Sequence, residues 1–96
     1  MSELRVQIDD LDRALIDLLA NRARYIDRAS ELKPGEGLPA RITERVEEVA
    51  ANARRNAGAV GFDPNLAECL WRVLIDWSIA REEQVLGPSD TPPPSE

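Results

Sequence analysis

Leu4, Ile8, Leu11, Leu15, Leu18, Arg22, Tyr25, Ala29 and Leu32 follow one another at steps of four and three. That spacing lays side chains along one face of an α-helix. No glycine or proline interrupts the series before Pro34. The pattern predicts a first helix from about Ser2 to about Lys33, ~45 Å long at ~1.5 Å per residue. A helix of that length exceeds the diameter of a compact domain built from so short a chain. Its stripe requires a partner surface equally long, and the remaining sequence offers only shorter helices. A second copy of the same helix is the economical partner.

The stretch "PGEGLP" (34–39) is expected to end this helix and form a mobile loop. A second helix is predicted at about 41–57, with Ile42, Val46, Val49, Ala50, Ala53 and Ala57 on one face. These small side chains suit close packing against another helix. "GAVG" (58–61) then stops it with glycines able to take positive φ. In "FDPNL", Asp63 is placed as an N-cap and Pro64 at the first helical position. The third helix, 64–86, carries Leu66, Leu70, Trp71, Val73, Leu74, Ile75, Trp77 and Ile79 on more than one face, as a central helix does. "GPSDTPPPSE" (87–96) has the composition of a disordered tail. No strand pattern and no internal repeat is present. The expected architecture is all-α: one helical domain over 1–86 with three helices, paired as an intertwined homodimer.

At 96 residues the chain is one small domain. Its 18 acidic and 12 basic residues give a net charge of −6, which argues against nucleic acid or an anionic membrane as partner. No apolar run is long enough to span a bilayer, and "MSELRVQIDD" lacks the apolar core of a signal peptide, so a soluble cytoplasmic protein is expected. The single Cys69 cannot form an internal disulfide, and its apolar helical setting predicts a buried structural thiol. Histidine is absent. That excludes Ser-His-Asp and Cys-His nucleophile systems and any His-ligated metal, so no metal site is expected.

Two cations interrupt the first helix's apolar stripe. Arg22 and Lys33 are eleven residues apart, about 1100° of rotation, so they share a face to within about 20° and lie ~16 Å apart along the axis. Two long side chains so placed can converge on one ligand, and Ala23 and Ala29 leave room between them. Arg5 lies ~25 Å from Arg22 along the axis and ~100° round, out of reach on the same helix. An antiparallel second copy would bring its own Arg5 towards Arg22. Each cation also has an ordinary reading. Arg22 can pair with a carboxylate, Lys33 can snorkel at a helix C-terminus, and Arg45 in "ERVEE" can belong to a solvated face. Taken together they suit a small polyanion gripped by guanidinium forks. Glu82 follows Ser78 by one turn, beside Ile75, Ile79 and Leu86. It is either an exposed glutamate of a fraying end or a carboxyl whose apolar neighbours favour the neutral, donating form.

Arg5 ahead of "IDDLD", Arg22 in "LLANRA", Lys33 eleven residues on, Arg45 in "ERV" and "WSIARE" near the end of helix 3 form an ordered set. The chain resembles the all-helical chorismate mutase family, including the related isochorismate-pyruvate lyases, over about residues 4–86. The resemblance implies an intertwined dimer with two equivalent sites for a small dianion. In it, Arg22 would bind one substrate carboxylate and the partner subunit's Arg5 the other. Lys33 would bind a carboxylate and the enolpyruvyl ether oxygen. Arg45 would assist near the ring, Ser78 would line the pocket, and Glu82 would donate to the ether oxygen. The implied rearrangement of chorismate to prephenate is pericyclic and needs no nucleophile, proton transfer or cofactor, in keeping with the missing histidine. Where mutases commonly carry polar groups that meet the ring hydroxyl, this chain has Val46 and Ile42. That departure, with Trp77, resembles the lyase branch, which converts isochorismate to salicylate and pyruvate. An amino-substituted chorismate is a further substrate on this pattern. A helical dimer without catalysis is the reading from a different class.

Overall fold

The computed structural model describes residues 1–37 and 41–86. These form three helices: α1 (Ser2–Glu36), α2 (Thr43–Ala59) and α3 (Pro64–Leu86). α3 packs against both α1 and α2, which do not pack on each other, so it is the central helix its broad apolar surface predicts. None of the three is long and apolar enough to cross a membrane.

Local chemistry sets most of the boundaries. Asp63 Oδ1 accepts from the backbone N–H groups of Asn65, at 2.9 Å, and Leu66, at 3.3 Å, the expected N-cap of α3. α2 closes in a Schellman arrangement. Phe62 N–H donates to Ala57 C=O at 2.9 Å and Gly61 N–H to Gly58 C=O at 3.3 Å, with Gly61 at φ 76°. α2 therefore starts and ends two residues later than the apolar pattern predicts, and Gly58 lies inside it. α1 also differs. It runs through Pro34 to Glu36 and stops at Gly37, φ 72°, rather than near Lys33. The contact of Lys33 with α3 anchors this last turn, and such packing overrides the local preference against proline. Of the expected 34–39 loop, residues 38–39 lie outside the described residues, as does the expected tail, 87–96.

The core is small. Val46, Ala50 and Ile75 form its centre, with Val49 and Ile79 packed against it. Ala53, Ala57 and Ala67 extend the α2–α3 contact. Ala50, 2% exposed, is the most deeply buried of the core residues. The α1 stripe is different: Leu4, Ile8, Leu11, Leu15 and Leu18 are exposed, as are Leu66, Leu70, Val73 and Trp77 on α3. α1 meets α3 only in its C-terminal half, where its side chains begin to be covered. The molecule is accordingly rod-like, 62 Å in its longest dimension, with a radius of gyration of 16.7 Å. A compact chain of this length would measure about 12–13 Å. Cys69 is exposed, against the expected buried thiol. Its turn of α3 lies beside Leu66, Leu70 and Val73, a face that no other part of the described chain covers.

Candidate active site

A cavity of about 400 Å³ opens between α1 and α2, with α3 bridging them. Its polar side chains come from all three helices: Arg22 and Lys33 from α1, Arg45 from α2, Ser78 and Glu82 from α3. Val46 and Ile42, the residue before α2, form an apolar wall. The cavity thus brings together every side chain expected to bind the ligand or line its site except Arg5. Arg5 lies in the uncovered N-terminal half of α1 and does not line the cavity.

Arg22 Nη1 donates to Ser78 Oγ at 3.2 Å. Ser78 Oγ in turn donates to Leu74 C=O at 2.8 Å, which fixes the hydroxyl so that a lone pair faces the guanidinium. Among the described residues Arg22 forms no ion pair, so the ordinary reading that it pairs with a carboxylate does not hold. Burial and then the nearby charge of Arg45 lower the Arg22 pKa from its usual value. A guanidinium remains charged nonetheless. A partly buried cation answered by a neutral hydroxyl is electrostatically under-compensated, which is how an anion-binding group is held ready.

Lys33 and Glu82 meet across the α1–α3 seam, Nζ to Oε2 at 2.5 Å. Their side chains are 18% and 5% exposed. Glu82 is therefore neither frayed nor surrounded by apolar groups alone. In this arrangement it accepts from an ammonium instead of donating. Lys33 is held by the pair, not merely extended along the surface. Arg45 is exposed at the cavity edge and pairs with Glu48, one turn on in α2. Three cations against two carboxylates, Glu82 in the cavity and Glu48 at its edge, still leave an excess of positive charge in an acidic protein. That suits a ligand with more than one negative charge.

Ala29 lines the cavity as expected, whereas Ala23, the other residue expected to leave room, does not. Tyr25, Ile26, Val49, Ile75 and Ile79 also line it without having been singled out as site residues. Tyr25 had a visible signal, since it sits on the α1 stripe one turn after Arg22. Val49, Ile75 and Ile79 read as ordinary core, and Ile26 lies off the α1 stripe. Their part in the cavity depends on the gap between α1 and α2, which periodicity does not reveal.

Residues 4–83 match the family model for chorismate mutase type II. Among curated proteins, the chain is 38% identical over 82 residues to a T-protein of Enterobacter agglomerans, covering 85% of this chain and 22% of that protein. It is 31% identical over 83 residues to an isochorismate pyruvate lyase of Pseudomonas aeruginosa, covering 85% and 80%. It is 26% identical over 86 residues to a chorismate mutase of Methanocaldococcus jannaschii, covering 90% and 87%. The chain thus spans about a fifth of the T-protein's length, but most of the other two. No solved structure gives a significant match.

Proposed function

Because the chain belongs to the chorismate mutase type II family, we propose that its cavity rearranges chorismate to prephenate. The observation that carries this reading is the convergence of Arg22, Lys33 and Arg45 with Ser78 and Glu82 around one space of ligand size. Arg22 takes one substrate carboxylate. Lys33 takes another carboxylate and the ether oxygen, with Arg45 near the ring. The reaction breaks the ether C–O bond as a new C–C bond forms within the same molecule, so no proton or electron need leave it. Catalysis then consists of holding the dianion in its compact conformer. Negative charge developing on the ether oxygen is met by the Lys33 ammonium, and by Glu82 as a donor once the ligand has displaced its contact with Lys33 and it carries a proton.

The site works between two subunits in this reading. The N-terminal half of α1 carries an apolar stripe that its own chain leaves uncovered, and a small core of mostly alanines is little to hold a domain together. Pairing with a second α1 would cover that stripe and deliver the partner subunit's Arg5 to Arg22. The result is a homodimer with two equivalent sites.

A second reading, isochorismate-pyruvate lyase, is favoured by the apolar wall of Ile42 and Val46, where a ring hydroxyl would find no partner from either side chain. The 31% identity to the Pseudomonas lyase points the same way. Incubating the protein with chorismate, and separately with isochorismate, while following the loss of substrate ultraviolet absorbance decides between them. Prephenate from chorismate is the expected product. Salicylate with pyruvate as the main products would reverse the choice, and no turnover of either would leave a helical dimer without catalysis.

A further inference from the structure

Three hydrogen-bonded side-chain pairs tie α1 to α3. Two belong to the cavity: Arg22 with Ser78 and Lys33 with Glu82. The third, Arg81 with Asp27, lines a separate cleft on the same seam. Arg81 Nε and Nη2 donate to different oxygens of the Asp27 carboxylate, the second at 2.9 Å. This is a guanidinium–carboxylate fork, which fixes direction as well as distance. The Arg81 guanidinium also lies 5.3 Å from the centre of the Trp77 ring, a cation–π contact that holds it from a second side. Asp27 comes between Arg22 and Lys33 on α1, next to the cavity residue Ile26. Arg81 comes between Ser78 and Glu82 on α3.

A dianion that engages Arg22 and Lys33 competes with Ser78 and Glu82 for the same N–H groups. Both cavity contacts between α1 and α3 are then weakened at the moment when their spacing matters most. The Asp27–Arg81 fork contributes no group to the cavity and is not drawn on. We propose that Asp27 and Arg81 are positioning residues that hold α1 at its spacing from α3 while the ligand takes over Arg22 and Lys33, a role that rests on the functional reading above. The hydrogen bond from Arg81 lowers the Asp27 pKa from its ordinary value, so the fork stays ionised at neutral pH.

The test compares Asp27→Asn, Arg81→Lys and the reversed pair Asp27→Arg with Arg81→Asp. Small misplacement of reacting groups is costly, so Asp27→Asn should lower kcat about tenfold with a smaller change in KM. An exposed ion pair adds little to stability, so the melting temperature should move by less than about 5 °C. Arg81→Lys keeps the charge and loses the fork, and should lose most of the same activity. The reversed pair restores opposite charges and should regain part of it. A kcat within about twofold of wild type in both single variants overturns the proposal, as does a kcat loss that only tracks the fraction unfolded at the assay temperature. Should the wild type turn over neither substrate, the functional reading falls, and amide hydrogen exchange decides this one alone. Asp27→Asn must then speed exchange over residues 26–33 relative to α2, and equal exchange in both segments overturns it.

Discussion

Replacing Glu82 by glutamine and by alanine separates two jobs its carboxyl can do beside Lys33. As a neutral acid it donates to the ether oxygen. As a carboxylate it aims the Lys33 ammonium, which it meets at 2.5 Å. Glutamine keeps a donor and loses the charge, whereas alanine loses both. With donation as the role, Glu82→Ala removes one preorganised donor from an oxygen that gains charge, a cost of ~10²–10³ in kcat or roughly 2.7–4 kcal/mol. Glu82→Gln should then stay within about tenfold of wild type. Stability must be followed in parallel. Breaking a fully buried ion pair by removing one partner costs roughly 3–5 kcal/mol. The cost here is smaller, because the Lys33 side chain keeps 18% of its surface in water. Initial rates of chorismate loss, measured well below the midpoint of each variant's circular-dichroism melt, separate the two effects. A glutamine variant as impaired as the alanine variant, though equally folded, would refute the donor role and assign Glu82 to orienting Lys33.

Mixing inactive Arg5→Ala subunits with inactive Arg22→Ala subunits should restore about a quarter of wild-type activity, since about half of randomly paired dimers are mixed and each has one intact site of two. No recovery after demonstrated subunit exchange would rule out the shared site. Asp63→Ala leaves two N–H groups at the start of α3 without their cap and should cost about 1 kcal/mol, read as a lower midpoint in thermal or urea melts. Hydrogen bonds from Arg72 and then Arg54 lower the Glu68 pKa from its ordinary value. Its contribution is therefore present above the ordinary carboxylate range and lost as pH falls through the lowered value. The gap in melting temperature between wild type and Glu68→Gln should be open at neutral pH and close as the solution is acidified; a gap independent of pH would contradict this assignment.

The helices were legible because their signals are local. A stripe at steps of three and four, an Asp-Pro start and a glycine stop each act within a few residues, and they locate α1, α2 and α3 to within about a turn. Pro34 misled because its cost is local, whereas the contact that outweighs it, Lys33 with Glu82, spans 49 residues of sequence. Cys69 misled for a related reason. An apolar neighbourhood along a helix says that a face needs covering, and it does not say what covers it. The polar site residues stood out because each breaks an apolar stripe. Val49, Ile75 and Ile79 blend into theirs, and only the gap between α1 and α2 turns them into cavity wall. Nor did spacing reveal the Lys33–Glu82 pair, since α1 and α3 can be docked at many rotations that keep both stripes buried.

The two halves of α1 therefore have different tasks. Its C-terminal half is fixed by α3 and presents Arg22 and Lys33 to the cavity. Its N-terminal half holds Arg5 about 25 Å from Arg22 along the axis, farther than any side chain extends. A cavity assembled by one chain can thus grip a dianion at Arg22 and Lys33 but cannot use its own Arg5. The exposed leucines at positions 4, 11, 15 and 18 and Ile8 supply the apolar surface that would recruit a second chain. On the proposed arrangement that recruitment and the completion of the site are one event, so activity per subunit should fall on dilution through the dimer dissociation range. Specific activity that stays constant while sedimentation shows dissociation to monomers would separate the two and remove Arg5 from the site.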